Sequence, residues 1–164
     1  LADEAATRAL GARLFVSAAG LLRGGTPRLT VFLKGELGAG KTTLCRGGLE
    51  ALGYRGPVRS PTYTLVEIYE FADFCVQHLD LYRLTDAGEL EELGVRDLLS
   101  AHALTLIEWP ERGRGMLPPA DATVELGFKE EGRQALLEVS ADLKELLAAT
   151  ADLPDRPGSG GNTL

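Results

Sequence analysis

One run of residues constrains this chain more than any other: Gly35-Glu36-Leu37-Gly38-Ala39-Gly40-Lys41-Thr42, in the pattern G-x-x-x-x-G-K-T. It follows directly on the apolar run Leu29-Thr30-Val31-Phe32-Leu33. A strand, a glycine turn and a helix start in that order are the context in which this pattern forms a phosphate-binding loop. Glycine allows the backbone to curl until several N–H groups point inward at phosphate oxygens, and the helix that follows adds the positive end of its dipole. The backbone of Gly38, Ala39 and Gly40 is therefore expected to cradle a phosphate chain. Lys41 should reach the terminal phosphates as a point charge, and the Thr42 hydroxyl should ligate Mg²⁺.

The rest of the chain has to supply a strand-and-helix layer fold that can carry such a loop. With 164 residues, of which 45% are hydrophobic and 25% charged, it suits one soluble domain with one core. Its continuous apolar runs are much shorter than the roughly 20 residues of a membrane helix. Asp3 and Glu4, with no basic segment ahead of an apolar one, argue against a secretory signal. Cys45 and Cys75 stand in no metal or redox spacing and read as two reduced core thiols of a cytosolic protein. The net charge of −7 lacks the basic footprint of a free-standing nucleic-acid binder, so a role in nucleic-acid biology would run through a partner protein.

Periodicity predicts an amphipathic helix over 4–22, ended by Gly24-Gly25-Thr26-Pro27, then the strand 28–34 and a helix from Lys41 to Leu52 with Gly53 just past its end. Gly47 and Gly48 inside that helix each cost about 1 kcal/mol against alanine, and close packing on the sheet would account for them. Strands are expected over 62–71, 74–79, 103–108, 122–128 and 134–140. Short helices should lie over 86–101, broken near Gly94, with a loop over 110–119 and a further helix over 141–149. The sum is an α/β, three-layer fold around a central, mostly parallel sheet with antiparallel additions. It forms a single P-loop domain over 1–150, followed by a tail over 151–164 with a disordered composition.

Hydrolysis needs a carboxylate near Mg²⁺ and a group to orient water. Two acids end apolar runs: Glu108 after Leu104-Thr105-Leu106-Ile107, and Asp80 after Gln77-His78-Leu79. An acid at the end of a buried strand is costly unless it is paired or linked to a metal, so both are expected at the phosphate edge. Thr62, after Ser60-Pro61, sits where a switch hydroxyl could sense a γ-phosphate or could simply cap a strand. His78 reads as a structural hydrogen-bonder, and Trp109 as either a buried ring or a nucleotide or partner contact.

The motifs G-E-L-G-A-G-K-T-T (35–43), S-P-T-Y-T-L-V (60–66), H-L-D-L-Y-R-L (78–84) and I-E-W-P-E (107–111), in this order, closely resemble the small bacterial ATPase of the tRNA threonylcarbamoyladenosine biosynthesis system. The resemblance covers about residues 3–140. It implies a cytoplasmic, P-loop, Mg²⁺-dependent ATPase that binds the heterodimer performing threonylcarbamoyl transfer to the adenosine beside the anticodon. ATP hydrolysis would reset that complex between turnovers, and tRNA would be met only through the partners. By position it makes Lys41 and Thr42 the phosphate and Mg²⁺ ligands, and sets Thr43 near the α-phosphate. Asp80 and Glu108 become the acids around Mg²⁺ and water, Thr62 the switch threonine, and Glu4 and Arg133 the borders of the nucleotide.

Three other readings use the same loop. A small-molecule kinase would need an acceptor pocket and an arginine-bearing lid, for which the short 110–116 loop with Arg112 and Arg114 is the candidate. A binding-only module would leave Lys41, Thr42, Asp80 and Glu108 without a task. A GTPase is disfavoured because no N-K-x-D motif is present.

Overall fold

The computed structural model describes residues 1, 3–61, 63–130, 132–141 and 143. The expected tail, most of the expected helix over 141–149, and Thr62 lie outside these residues.

Six strands form one sheet in the order β2-β3-β4-β1-β5-β6: β1 (Leu29–Lys34), β2 (Val66–Glu70), β3 (Cys75–Asp80), β4 (Ala103–Glu108), β5 (Ala122–Phe128) and β6 (Arg133–Val139). The four central strands β3, β4, β1 and β5 run parallel, while β2 and β6 add antiparallel at the edges. β1, β3 and β4 are buried along nearly their whole length, as parallel strands covered on both faces are, whereas β5 alternates buried with more exposed residues. Alternation along each strand divides the core in two. Val31, Leu33, Leu104 and Leu106 face α1 (Glu4–Arg23) and α2 (Lys41–Ala51). Leu79 and Ile107 face the smaller cluster that includes Leu90 of α3 (Glu89–Glu92) and Val95 of α4 (Val95–Ser100).

α1 begins with the Asp3 side chain accepting from Ala6 N at 2.8 Å. It is long and apolar enough to cross a membrane by composition, but Phe15, Ala18, Ala19, Leu21 and Leu22 are buried in the core. The glycines of α2 answer to α1 rather than to the sheet, which corrects the sequence expectation. A Cβ on Gly47 would come within 2.3 Å of Arg8 O, one on Gly48 within 2.2 Å of the Phe15 ring, and one on Gly11 of α1 within 2.0 Å of Leu44 O. Backbone meets backbone at this crossing, and only glycine permits it. α2 ends as expected at Gly53 (φ 93°), where Tyr54 N returns to Leu49 O at 3.0 Å.

The strand expected over 62–71 begins only at Val66, because Leu65 takes a left-handed φ of 62° in a turn closed by Leu65 N to Pro61 O at 2.7 Å. The loop expected over 110–119 opens with a 3₁₀ turn at Pro110–Gly113. Cys45 is buried as expected, whereas Cys75 is partly exposed.

Candidate functional site

The glycine loop joins β1 to α2 through three residues at positive φ: Gly35 (134°), Gly38 (80°) and Gly40 (108°). Gly35 also lies against β5, where a Cβ would sit 2.2 Å from Leu126 O. Among the described residues no side chain caps the start of α2. Its first N–H groups therefore keep their hydrogen-bonding capacity for an anion, at the end where the helix dipole is positive.

The carboxyl ends of three adjacent parallel strands meet here. Asp80 and Glu108 are the last residues of β3 and β4 and stand directly opposite one another in register, and Leu33 of β1 pairs with Glu108 on the other side. Topology thus brings together the loop and two acids that lie far apart in the chain. They open onto a cavity of about 410 Å³ whose lining includes Gly38, Lys41, Thr42, Asp80, Glu108 and Trp109. Gly40, Thr43, Ser60, Tyr82 and Arg83 complete its wall together with Leu37. A second cavity, of about 400 Å³, runs between α1 and the sheet. It is walled largely by apolar side chains such as Leu10, Leu14 and Val124, and offers little to a phosphate.

Each charged group at the site has assigned partners. Lys41 is buried and donates to Gly35 O at 2.7 Å and Glu36 O at 3.0 Å, with its ammonium 4.5 Å from the Trp109 ring centre. Burial lowers its pKa, opposed in part by Glu108 and Asp80. Asp80 accepts from Tyr82 N at 3.0 Å and from the Ser60 hydroxyl. Glu108, 3% exposed, meets Nε2 of the fully buried His78 at 2.9 Å. Burial pushes the imidazolium down, but Cys45 and Glu108 outweigh it, and the His78 pKa is raised to about 10. His78 thus makes its contact with Glu108 inside the core.

Trp109 holds a left-handed φ of 57° just before Pro110, which turns its ring onto Lys41 and Tyr82, the two ring centres 5.1 Å apart. Arg112 points away from the phosphate loop, to Leu84 O at 3.2 Å and the Tyr82 ring. Arg133, at the start of β6, lies over Gly40. Its buried Nε has no hydrogen-bond partner among the described residues and sits 3.7 Å from where a Cβ of Gly40 would be. Ala39 is buried under the loop, its N–H bonded to Glu36 O at 3.1 Å. Glu4 is not among the cavity residues; its carboxylate pairs with Arg8 at 3.2 Å and stands 4.0 Å from Arg46 on the outer side of α1 and α2.

Several neighbours of the site carried no expectation from the sequence. Thr7 is buried, with its methyl 3.4 Å from a Cβ placed on Gly40. Ser60 holds Asp80, and Arg83 lines the cavity while its guanidinium stacks 4.3 Å from the Tyr63 ring centre. Ser60 and Arg83 stand within recognisable motifs and could have been assigned from them. Thr7 has no local signal, since only the α1–α2 crossing brings it to the loop.

Residues 1–135 match the family model described as threonylcarbamoyl adenosine biosynthesis protein TsaE. The chain is 47% identical over 122 residues to the tRNA threonylcarbamoyladenosine biosynthesis protein TsaE of Haemophilus influenzae, covering 74% of this chain and 77% of that one. It is 38% identical over 109 residues to the protein of the same name from Rickettsia bellii, covering 66% and 75%. The crystal structure of YdiB from Bacillus subtilis superposes with a TM-score of 0.70 at 23% identity, over 92% of this chain and 89% of that one, and shares the fold.

Proposed function

The chain belongs to the TsaE family and takes part in tRNA threonylcarbamoyladenosine biosynthesis, and on that premise we propose that it is a Mg²⁺-dependent, partner-activated ATPase. The observation that carries this reading is the convergence of Lys41, Thr42, Asp80 and Glu108 on one cavity at the uncapped start of α2. The residues fit the group they would hold. The helix N-terminus and the glycine backbone suit phosphate oxygens, and the orphaned Nε of Arg133 is a further donor beside Gly40. Thr42 and the two carboxylates form a hard oxygen set of the kind Mg²⁺ prefers.

Bound Mg²⁺ would neutralise charge on the phosphates. The protein's own groups do the remaining work. Lys41 exchanges its contacts with Gly35 O and Glu36 O for phosphate oxygens. Glu108, fixed through one oxygen by His78, uses the other to orient water in line with the γ-phosphorus. Asp80 is held by Tyr82 N and Ser60 at the metal side, and Thr43 is assigned to the α-phosphate. Thr62 is assigned the role of γ-phosphate sensor, and Glu4 a position at the nucleotide's border.

The partner in this reading is the threonylcarbamoyl-transferase heterodimer, with tRNA held by that partner, in the cytoplasm. A chain of net charge −7 suits such indirect contact with a polyanion. Titrating ATP·Mg²⁺ and GTP·Mg²⁺ against Trp109 emission tests nucleotide binding. The ring on Lys41 should respond to ATP as the ammonium moves to phosphate. An unchanged emission together with no ATP retained in equilibrium dialysis would contradict it.

A further inference from the structure

One buried group of side chains has a chemistry that the ATPase reading does not use. Cys45 on α2, His78 on β3 and Glu108 on β4 each offer one ligand atom, and all three atoms lie within 4.8 Å of one another. The Cys45 Sγ is 3.8 Å from His78 Nε2, which is in turn 2.9 Å from Glu108 Oε1. All three residues are buried. A sulfur, an imidazole nitrogen and a carboxylate oxygen are the donor set of a four-coordinate Zn²⁺ with one open position. They differ in kind from the oxygen ligands around Thr42 and Asp80, since thiolate selects soft and borderline cations and Mg²⁺ does not take it.

We propose that Cys45, His78 and Glu108 form a second cation site, specific for Zn²⁺-like ions, that competes with the catalytic use of Glu108. Zn–N and Zn–O bonds of roughly 2.0–2.2 Å and a Zn–S bond of about 2.3 Å require only that the Glu108 carboxylate shift away from Nε2 and toward the sulfur. The sum of charges suits a buried site: one thiolate, one neutral imidazole and one carboxylate balance a divalent ion. Binding releases the thiol proton, and that of Nε2, to solvent. Glu108 lines the phosphate cavity, which gives the ion an entry path. With Glu108 on the ion, no carboxylate remains to orient the attacking water. That consequence rests on the hydrolase reading, while the site itself does not.

Cobalt(II) separates the two. Added to the protein without nucleotide, Co²⁺ should give a sulfur-to-cobalt charge-transfer band saturating at one ion per chain. The chain has two cysteines, so Cys75→Ser should keep the band and Cys45→Ser should lose it. The Cys75→Ser result assigns the sulfur even if Cys45→Ser is poorly folded. Competition with a chromogenic chelator should show Zn²⁺ affinity reduced by more than about 100-fold in Cys45→Ser, beyond what loss of an outer-shell partner causes. Under saturating Mg²⁺, Zn²⁺ should suppress ATP hydrolysis of the wild type and spare that of Cys45→Ser. A band that vanishes in Cys75→Ser, or no sulfur band at saturating Co²⁺, would overturn the site. A correct band in a protein that hydrolyses no ATP would leave the site standing and remove the ATPase reading instead.

Discussion

Lys41 is held in place by two loop carbonyls and an aromatic face, which a bound phosphate would have to replace. Lys41→Ala should therefore weaken ATP binding by about tenfold or more, the worth of one hydrogen bond to a charged group. Equilibrium dialysis with labelled ATP checks this, and an unchanged affinity would remove the lysine from the phosphate site. In the proposed hydrolase Glu108 works differently, because its carboxylate would be needed for water and little for binding. Glu108→Ala should lower the hydrolysis rate by about 100-fold or more while ATP affinity stays within a few-fold. The pair it forms with His78 also links stability to pH. The folded pKa of His78 is raised to about 10 from an unfolded value near 6.5, so its contribution is fully present below pH 6.5. It is lost as pH climbs through about 10. The melting temperature of the wild type should fall across that window more steeply than that of His78→Gln, and parallel curves would show that the imidazole is not charged in the fold.

At the scale of elements, the crossing of α1 and α2 depends on missing side chains. A methyl at Gly48 has no room beside the Phe15 ring, so Gly48→Ala should destabilise the fold by about 1–3 kcal/mol despite its better helix propensity. Pairing it with Phe15→Leu should recover part of that loss. Additive losses in urea unfolding would show that the contact does not carry the effect. Here the sequence was only half legible. Two glycines in a helix announce a close approach, but not which surface makes it, and the partner proved to be α1. The start of β2 was hidden for a similar reason. Residues 62–65 have strand-like composition, yet a turn bonding Leu65 N to Pro61 O holds Leu65 outside the ladder. The glycine turn between β1 and α2, the position of Asp80 and Glu108 at strand ends, and the break at Gly94 could be read directly, because each depends on local backbone chemistry or on apolar runs of fixed length.

For the molecule as a whole, the strand order β2-β3-β4-β1-β5-β6 turns separate motifs into one site. It sets Asp80 opposite Glu108 and both beside the loop that follows β1. That order is not encoded in any single segment, which is why Thr7 and Arg133 come to Gly40 only through packing of the first helix and the last strand. The central claim is that this assembled site hydrolyses ATP in the service of a partner complex. The measurement that tests it most directly is the steady-state rate of ATP hydrolysis by the full chain, alone and with the purified threonylcarbamoyl-transferase heterodimer, with Glu108→Ala run alongside. A slow basal rate that rises clearly on adding the heterodimer, and does not rise in Glu108→Ala, is the predicted result. A rate unaffected by the heterodimer, or a rise that survives in Glu108→Ala, would contradict the account.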